Sequence, residues 1–170
     1  MADGTFGVEV VTPEKALLEG GATAVMLRTS TGEMTVLDGH TALVGDVVPG
    51  QVRVEVADGE TQRLAVHGGF IQVDTRPGAA EGLIDDTEGG PIAGMSTRVT
   101  LLAGVVELAE EIDVPRAEAA REAATQHISE LQAVGRGASD AEDGGDVELQ
   151  QAEAALARAE LRLAVAAGEA

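Results

Sequence analysis

A change of period partway along the chain limits its fold more than any other feature. Up to about residue 104, apolar and polar residues alternate in short runs broken by Gly, Asp and Pro. Beyond about residue 105 the β-branched runs stop, and Ala, Glu, Gln, Arg and Leu dominate. Alternation sends successive side chains to opposite faces of a strand, whereas apolar spacings of three and four build one stripe along a helix. A chain that carries both patterns in succession is expected to fold in two parts. Residues 1–104 are read as an N-terminal antiparallel β-sandwich and residues 105–170 as a C-terminal two-helix hairpin, an α+β protein of 170 residues.

The alternation predicts strands over Phe6–Val11, Ala22–Arg28, Met34–Leu37, Gln51–Val56, Thr61–Val66, Phe70–Val73 and Val99–Leu102. In Gln51-Val52-Arg53-Val54-Glu55-Val56 the valines share one face and the polar residues the other. Ala57-Asp58-Gly59-Glu60 then supplies a tight hairpin turn, because Asp-Gly accepts the positive backbone dihedrals such turns need. Strands this closely spaced fit a sandwich or barrel.

In the second part Asp113 is placed to cap a helix, with Pro115 in the first turn, where its missing amide proton is harmless. This helix is expected to run to about Ala133, and a second from Val147 to Ala167. Their facing seam is expected at Ala117, Ala120, Ala124, Ile128 and Leu131 against Leu149, Ala152, Leu156, Ala159 and Leu163. A buried methyl contributes only about 0.8 kcal/mol. A seam so rich in alanine exceeds the entropy of ordering two helices by little, so the hairpin is expected to leave its docked position and extend against a partner. A stable alanine zipper is the alternative. Residues 74–97 and 135–146, rich in Gly, Asp and Glu, are expected to be mobile insertions, the second a flexible joint between the helices.

Composition narrows the function. With 30 acidic and 11 basic residues the formal charge is −19, which argues against nucleic acid and against direct binding to an anionic membrane. The absence of cysteine excludes disulfides, thiolate metal sites and cysteine nucleophiles. The acidic start lacks the basic and apolar regions of a signal peptide, and no apolar run reaches spanning length, so a cytoplasmic location is expected. There is no Walker A loop, no Gly-x-Ser-x-Gly elbow and no His-Glu-x-x-His pair. His40, His67 and His127 share no metal-ligand spacing, so no catalytic residue and no metal site is assigned. A metal-dependent enzyme using His40, His67 and carboxylates is the weakest of the readings.

Three runs carry a resemblance: Val36-Leu37-Asp38-Gly39-His40, His67-Gly68-Gly69-Phe70 and Ile112-Asp113-Val114-Pro115-Arg116-Ala117. With a strand-rich first part and a helical second part in that order, the chain resembles the epsilon subunit of bacterial F-type ATP synthase. The similarity covers Phe6 to Val73 and Arg98 to Ala133, resumes in the last helix, and fails at the two insertions. The resemblance implies a non-catalytic, regulatory and coupling part of the central stalk. Its β-sandwich would link the gamma subunit to the c-ring, and its helices would inhibit ATP hydrolysis when extended against the alpha and beta subunits. It would then lie at the cytoplasmic face of the cell membrane, peripheral and attached only through the complex, with protons as the coupling ion.

By the same resemblance, Glu33 matches the ring-facing loop and His40 the approach to the stalk. No cofactor is required, but ATP is implied as a regulatory ligand. Glu107, Asp113, Arg116 and Ala117 fall on the family's ATP site, and Arg158 and Arg162 on its two arginines of the second helix. One further arginine of ATP-binding relatives is Ala123 here, with Arg121 nearby. Arg158 and Arg162, one turn apart on one helix face, could grip phosphate oxygens with two guanidinium forks. Without the resemblance, Glu33 reads as a solvated hairpin residue, His40 as a turn histidine, Asp113 as a helix cap and the arginine pair as a solvated stripe. A stand-alone nucleotide-sensing adaptor protein, outside any rotary complex, is the alternative function.

Overall fold

The computed structural model describes residues 4–75, 95–135 and 144–168. Among these, the strands are β1 (Phe6–Val11), β2 (Ala16–Thr29), β3 (Gly32–Val36), β4 (Leu43–Val47), β5 (Gly50–Val56), β6 (Thr61–Val66), β7 (Gly69–Thr75), β8 (Thr97–Ala103) and β9 (Val106–Leu108). A single 3-10 turn, Ala109–Glu111, leads to α1 (Val114–Gly135) and then α2 (Gly144–Ala167). The chain divides into two compact units, Met1–Leu108 and Ala109–Ala170.

The strand unit follows the order β1-β8-β7-β4-β2-β5-β6-β9, with β3 also on β2 and β1 also on β2. Every pairing is antiparallel except β1 with β8. The long β2 makes this arrangement work. It pairs with β1 through Ala22 and then with β3 and β5 up to Thr29, and its register shifts between Ala22 and Ala24. Such an irregularity bends a strand and lets one element serve two layers.

The alternation in the sequence is satisfied by a core between the strands. Val52 and Val54 of β5, Leu64 and Val66 of β6, Ile71 and Val73 of β7, and Val99 and Leu101 of β8 are all buried there. Phe6 is the one aromatic of that core, which is otherwise built from Val, Leu, Ile and Ala.

Two strands were not expected from the sequence. β4 is obscured by Gly45 and by Val44, which is apolar yet exposed, so its alternation is weak. β9 is three residues long, too short to show a period. Because β9 pairs with β6, the strand unit extends to Leu108 rather than 104, and Glu107 belongs to it. β2 also starts six residues before the expected Ala22, along its pairing with β1.

The expected insertion 74–97 is narrower at its ends. Asp74 and Thr75 pair with Arg98 and Thr97 as the last rungs of β7 and β8, while 76–94 lie outside the described residues. The joint 135–146 narrows likewise, since Gly135 closes α1 and Gly144 opens α2, with 136–143 outside the described residues. Glycine lowers helix stability by about 1 kcal/mol in a helix interior. It does not forbid a terminal turn, so reading Gly144 and Gly145 as breakers started α2 too late.

In the helical unit Ala117, Ala124, Ala152 and Ala159 are buried, as the expected seam requires. Ile128, Leu131, Leu149, Leu156 and Leu163 are only half-buried. Ala120 is exposed, which corrects the seam at that position, and Val165, outside the expected set, is fully buried. The buried alanines 117 and 124 are seven apart, and the i+3 step to position 120 leaves that stripe for its polar flank.

Candidate functional site

The start of α1 explains the run Ile112-Asp113-Val114-Pro115-Arg116-Ala117 in terms of local chemistry. The Asp113 carbonyl accepts the first helical hydrogen bond from Ala117 N at 2.9 Å, and its Oδ1 accepts one from Arg116 N at 3.1 Å. Asp113 is therefore a helix N-cap, satisfying an amide that the first turn leaves unpaired. Ile112 just before the cap and Ala117 four residues after it are both buried, the spacing of a hydrophobic staple. Arg116 is left exposed between them.

Glu148 near the start of α2 approaches His127 of α1, with Nε2 to Oε1 at 3.5 Å, so the two helices run antiparallel. Arg116 lies eleven residues before His127, and Ala159 eleven after Glu148. Equal rise along both helices therefore sets Arg116 level with Ala159, between Arg158 and Arg162 along the axis. Arg158 is exposed and Arg162 half-buried. Five of the six proposed ATP-site residues thus belong to one helical unit, all of them where α1 begins or where α2 carries its arginine pair. Glu107 stands in β9 of the other unit, where its Oε2 lies 3.5 Å from Nε2 of the largely buried His67.

A separate groove of about 460 Å³ in the helical unit is lined by Val114, Glu118, Arg121, Glu160, Leu163, Ala164, Ala166 and Ala167. Arg121, the nearest arginine to Ala123, lines it, whereas Arg116, Arg158 and Arg162 do not. Among the described residues no group of three or more His, Asp or Glu is placed to hold a metal ion.

Glu33 is exposed in β3, opposite Arg28 of β2. Its hairpin turn is tied by Thr29 Oγ1, which donates to Gly32 O at 3.0 Å and lies 2.9 Å from Thr31 Oγ1. His40 closes the next turn. Its amide donates to Leu37 O at 3.1 Å, its Nδ1 lies 2.9 Å from Thr41 O, and its carbonyl accepts from Thr75 Oγ1. Gly39 N donates to the buried Thr97 Oγ1 at 2.9 Å, so the turn is fastened to the ends of β7 and β8. Both residues sit in turns or hairpins that the fold holds firmly.

Sequence reading missed an exposed apolar surface on the outer face of β4, β7 and β8. Val44 is 73% exposed, Phe70 56% and Leu102 45%. Phe70 faces Asp46 on one side and Leu102 on the other. The signal was present, since Phe70 and Leu102 fall on the opposite phase from the buried Ile71, Val73, Leu101 and Ala103.

This architecture defines a class. Residues 5–77 match the family model of the ATP synthase delta/epsilon chain β-sandwich domain, and residues 110–167 match that of its long α-helix domain. The ATP synthase epsilon chain of Streptomyces griseus is 38% identical over 117 residues, covering 69% of this chain and 77% of that one. That of Staphylococcus haemolyticus is 31% identical over 163 residues, covering 95% and 96%. A solved chain of the Euglena gracilis mitochondrial ATP synthase, in its OSCP/F1/c-ring assembly, superposes with a TM-score of 0.62 at 22% identity, over 92% of this chain and 78% of that one, a likeness of fold. The chain belongs to the ATP synthase epsilon-chain family. It is accordingly a non-catalytic subunit of ATP synthase. No helix among the described residues is long and apolar enough to cross a membrane.

Proposed function

We propose that the chain is a regulatory and coupling subunit of the central stalk. Its strand unit docks on the gamma subunit and the c-ring, and its helical unit inhibits ATP hydrolysis when it extends against the alpha and beta subunits. The observation that carries the regulatory half is the seam: apart from Val165, the buried residues described in α1 and α2 are alanines, and the larger leucines and Ile128 are half-exposed. Each methyl adds about 0.8 kcal/mol, so separating the helices forfeits little apolar burial. The exposed Val44, Phe70 and Leu102 support a protein partner on the strand unit, since apolar surface concentrated on one sheet face marks an interface. Membrane association would come only through the complex, at the cytoplasmic face of the cell membrane, with protons as the coupled ion.

ATP is the ligand proposed for the helical unit. Arg116, Arg158 and Arg162 supply guanidinium forks within about one helical turn along the axis, suited to phosphate oxygens. Asp113, with Oδ1 committed to its cap, would offer its other carboxylate oxygen to ribose or adenine donors. Binding selective for the paired helices would shift the population away from the inhibitory form by its differential affinity. The sequence carries no Walker A loop, and ATP is accordingly proposed as a ligand and not as a substrate.

The test is ATP hydrolysis by the assembled complex carrying either the full chain or one ending at Asp113. Faster hydrolysis with the shortened chain is expected. Equal rates would remove the inhibitory role.

A further inference from the structure

In a chain with a net charge of −19, three arginines gather on one exposed sheet face. Val52 and Val54 of β5 and Leu64 and Val66 of β6 point into the core, so Arg53 and Arg63 point outward, and they are direct cross-strand partners. Arg28 faces outward from β2 between the buried Leu27 and Thr29, two residues along from Met26, which pairs with Arg53. All three are exposed. Like charges set directly opposite on neighbouring strands destabilise a sheet, so this placement opposes folding. Glu33 opposes Arg28 and Glu55 shares the face of Arg53, yet among the described residues no carboxylate forms an ion pair with any of the three. The side-chain partner seen is sulfur: Arg53 Nη2 donates to Met26 Sδ at 2.7 Å.

The character of the face indicates what it receives. It is an open strand surface without an aromatic side chain, so it offers bases nothing to stack on. A chain this acidic disfavours small free anions and anionic lipid alike. Guanidinium forks at fixed strand spacing instead suit carboxylates spaced along a partner's helix or strand. We propose that Arg28, Arg53 and Arg63 form a docking surface for a carboxylate-rich segment of a neighbouring subunit. This rests on the reading that the chain works inside an assembly. An acidic neighbour repels most of this subunit and attracts it at one place, so the patch sets the orientation in which the subunit docks.

The experiment is rebinding of the full-length chain to ATP synthase stripped of it, with Kd measured across a range of salt. Arg53→Glu/Arg63→Glu is expected to weaken binding about tenfold or more and to flatten the salt dependence, with Arg53→Gln/Arg63→Gln in between. The single Arg63→Glu places opposite charges across the strands, so its melting temperature should match or exceed that of the unaltered chain, which separates loss of docking from loss of folding. Unchanged Kd and salt slope in the double variant would overturn the proposal. So would a defect confined to binding anionic vesicles or inorganic polyphosphate. Failure of the unaltered chain to rebind would defeat the assembly reading itself, and the proposal with it.

Discussion

The two adjacent glycines at the start of β7 should respond very differently to an added methyl. Gly68 has a φ of +104°, but its nearest neighbour for a Cβ is Val47 O at 3.6 Å, so Gly68→Ala would mainly incur left-handed backbone strain of about 1–2 kcal/mol. Gly69 is its converse. A Cβ there would overlap the Leu102 carbonyl oxygen and come within 2.9 Å of Ala103 Cα, and both of those atoms are backbone. Neither can swing aside as a side-chain tip would. The β7–β8 ladder, which begins at Gly69 opposite Ala103, would have to part at its first rung. Overpacking of roughly 1–3 kcal/mol plus one or two lost ladder hydrogen bonds at about 1 kcal/mol each gives on the order of 3–5 kcal/mol. For a unit of this size that lowers the melting temperature by well over 10 °C, at about 4–8 °C per kcal/mol. Urea and thermal unfolding of the full chain, followed by hydrogen exchange at β7 and β8 amides, measures it. A Gly69→Ala variant within 1 kcal/mol of the unaltered chain, or one no worse than Gly68→Ala, would refute the steric argument.

Asp113→Ala should lose the α1 cap and destabilise that helix by about 1 kcal/mol, seen as faster amide exchange in its first turn. Asp113→Asn keeps a capping oxygen, so a drop in ATP affinity without a change in α1 exchange would isolate the role of the charge. Arg158→Gln/Arg162→Gln is expected to remove the heat of ATP binding in calorimetry of the isolated chain while leaving its helix content intact, and a retained signal would end the proposed phosphate contact. Ala159→Leu, at a fully buried seam position, should part the helices at a cost of roughly 1–3 kcal/mol, read as loss of protection in both α1 and α2.

Much of the architecture was legible because it rests on local chemistry. Asp113 and Pro115 announce a helix start by sidechain and ring alone, and Val52, Val54 and Val56 announce a strand face by alternation. What escaped the sequence depends on distant partners. β9 exists because Val106 meets Val66 and Leu108 meets Leu64, pairings that three residues cannot advertise. Gly69 marks the family in the sequence, but its requirement for a bare backbone arises from Leu102 and Ala103 across the sheet. The site followed the same rule. Arg158 and Arg162 could be placed one turn apart from spacing alone, whereas their level with Arg116 needed the contact of His127 with Glu148. The outward Phe70, Leu102, Arg53 and Arg63 were readable as phase or charge anomalies only once the strands had been assigned to faces.

The claim on which the function depends is that α1 and α2 are weakly joined, and hydrogen exchange on the full chain measures it most directly. Amides in the middle of α1 and α2 should open with a free energy far below that of β5, β7 and β8, whose side chains fill the strand core. Protection of the helices equal to that of those strands would contradict it.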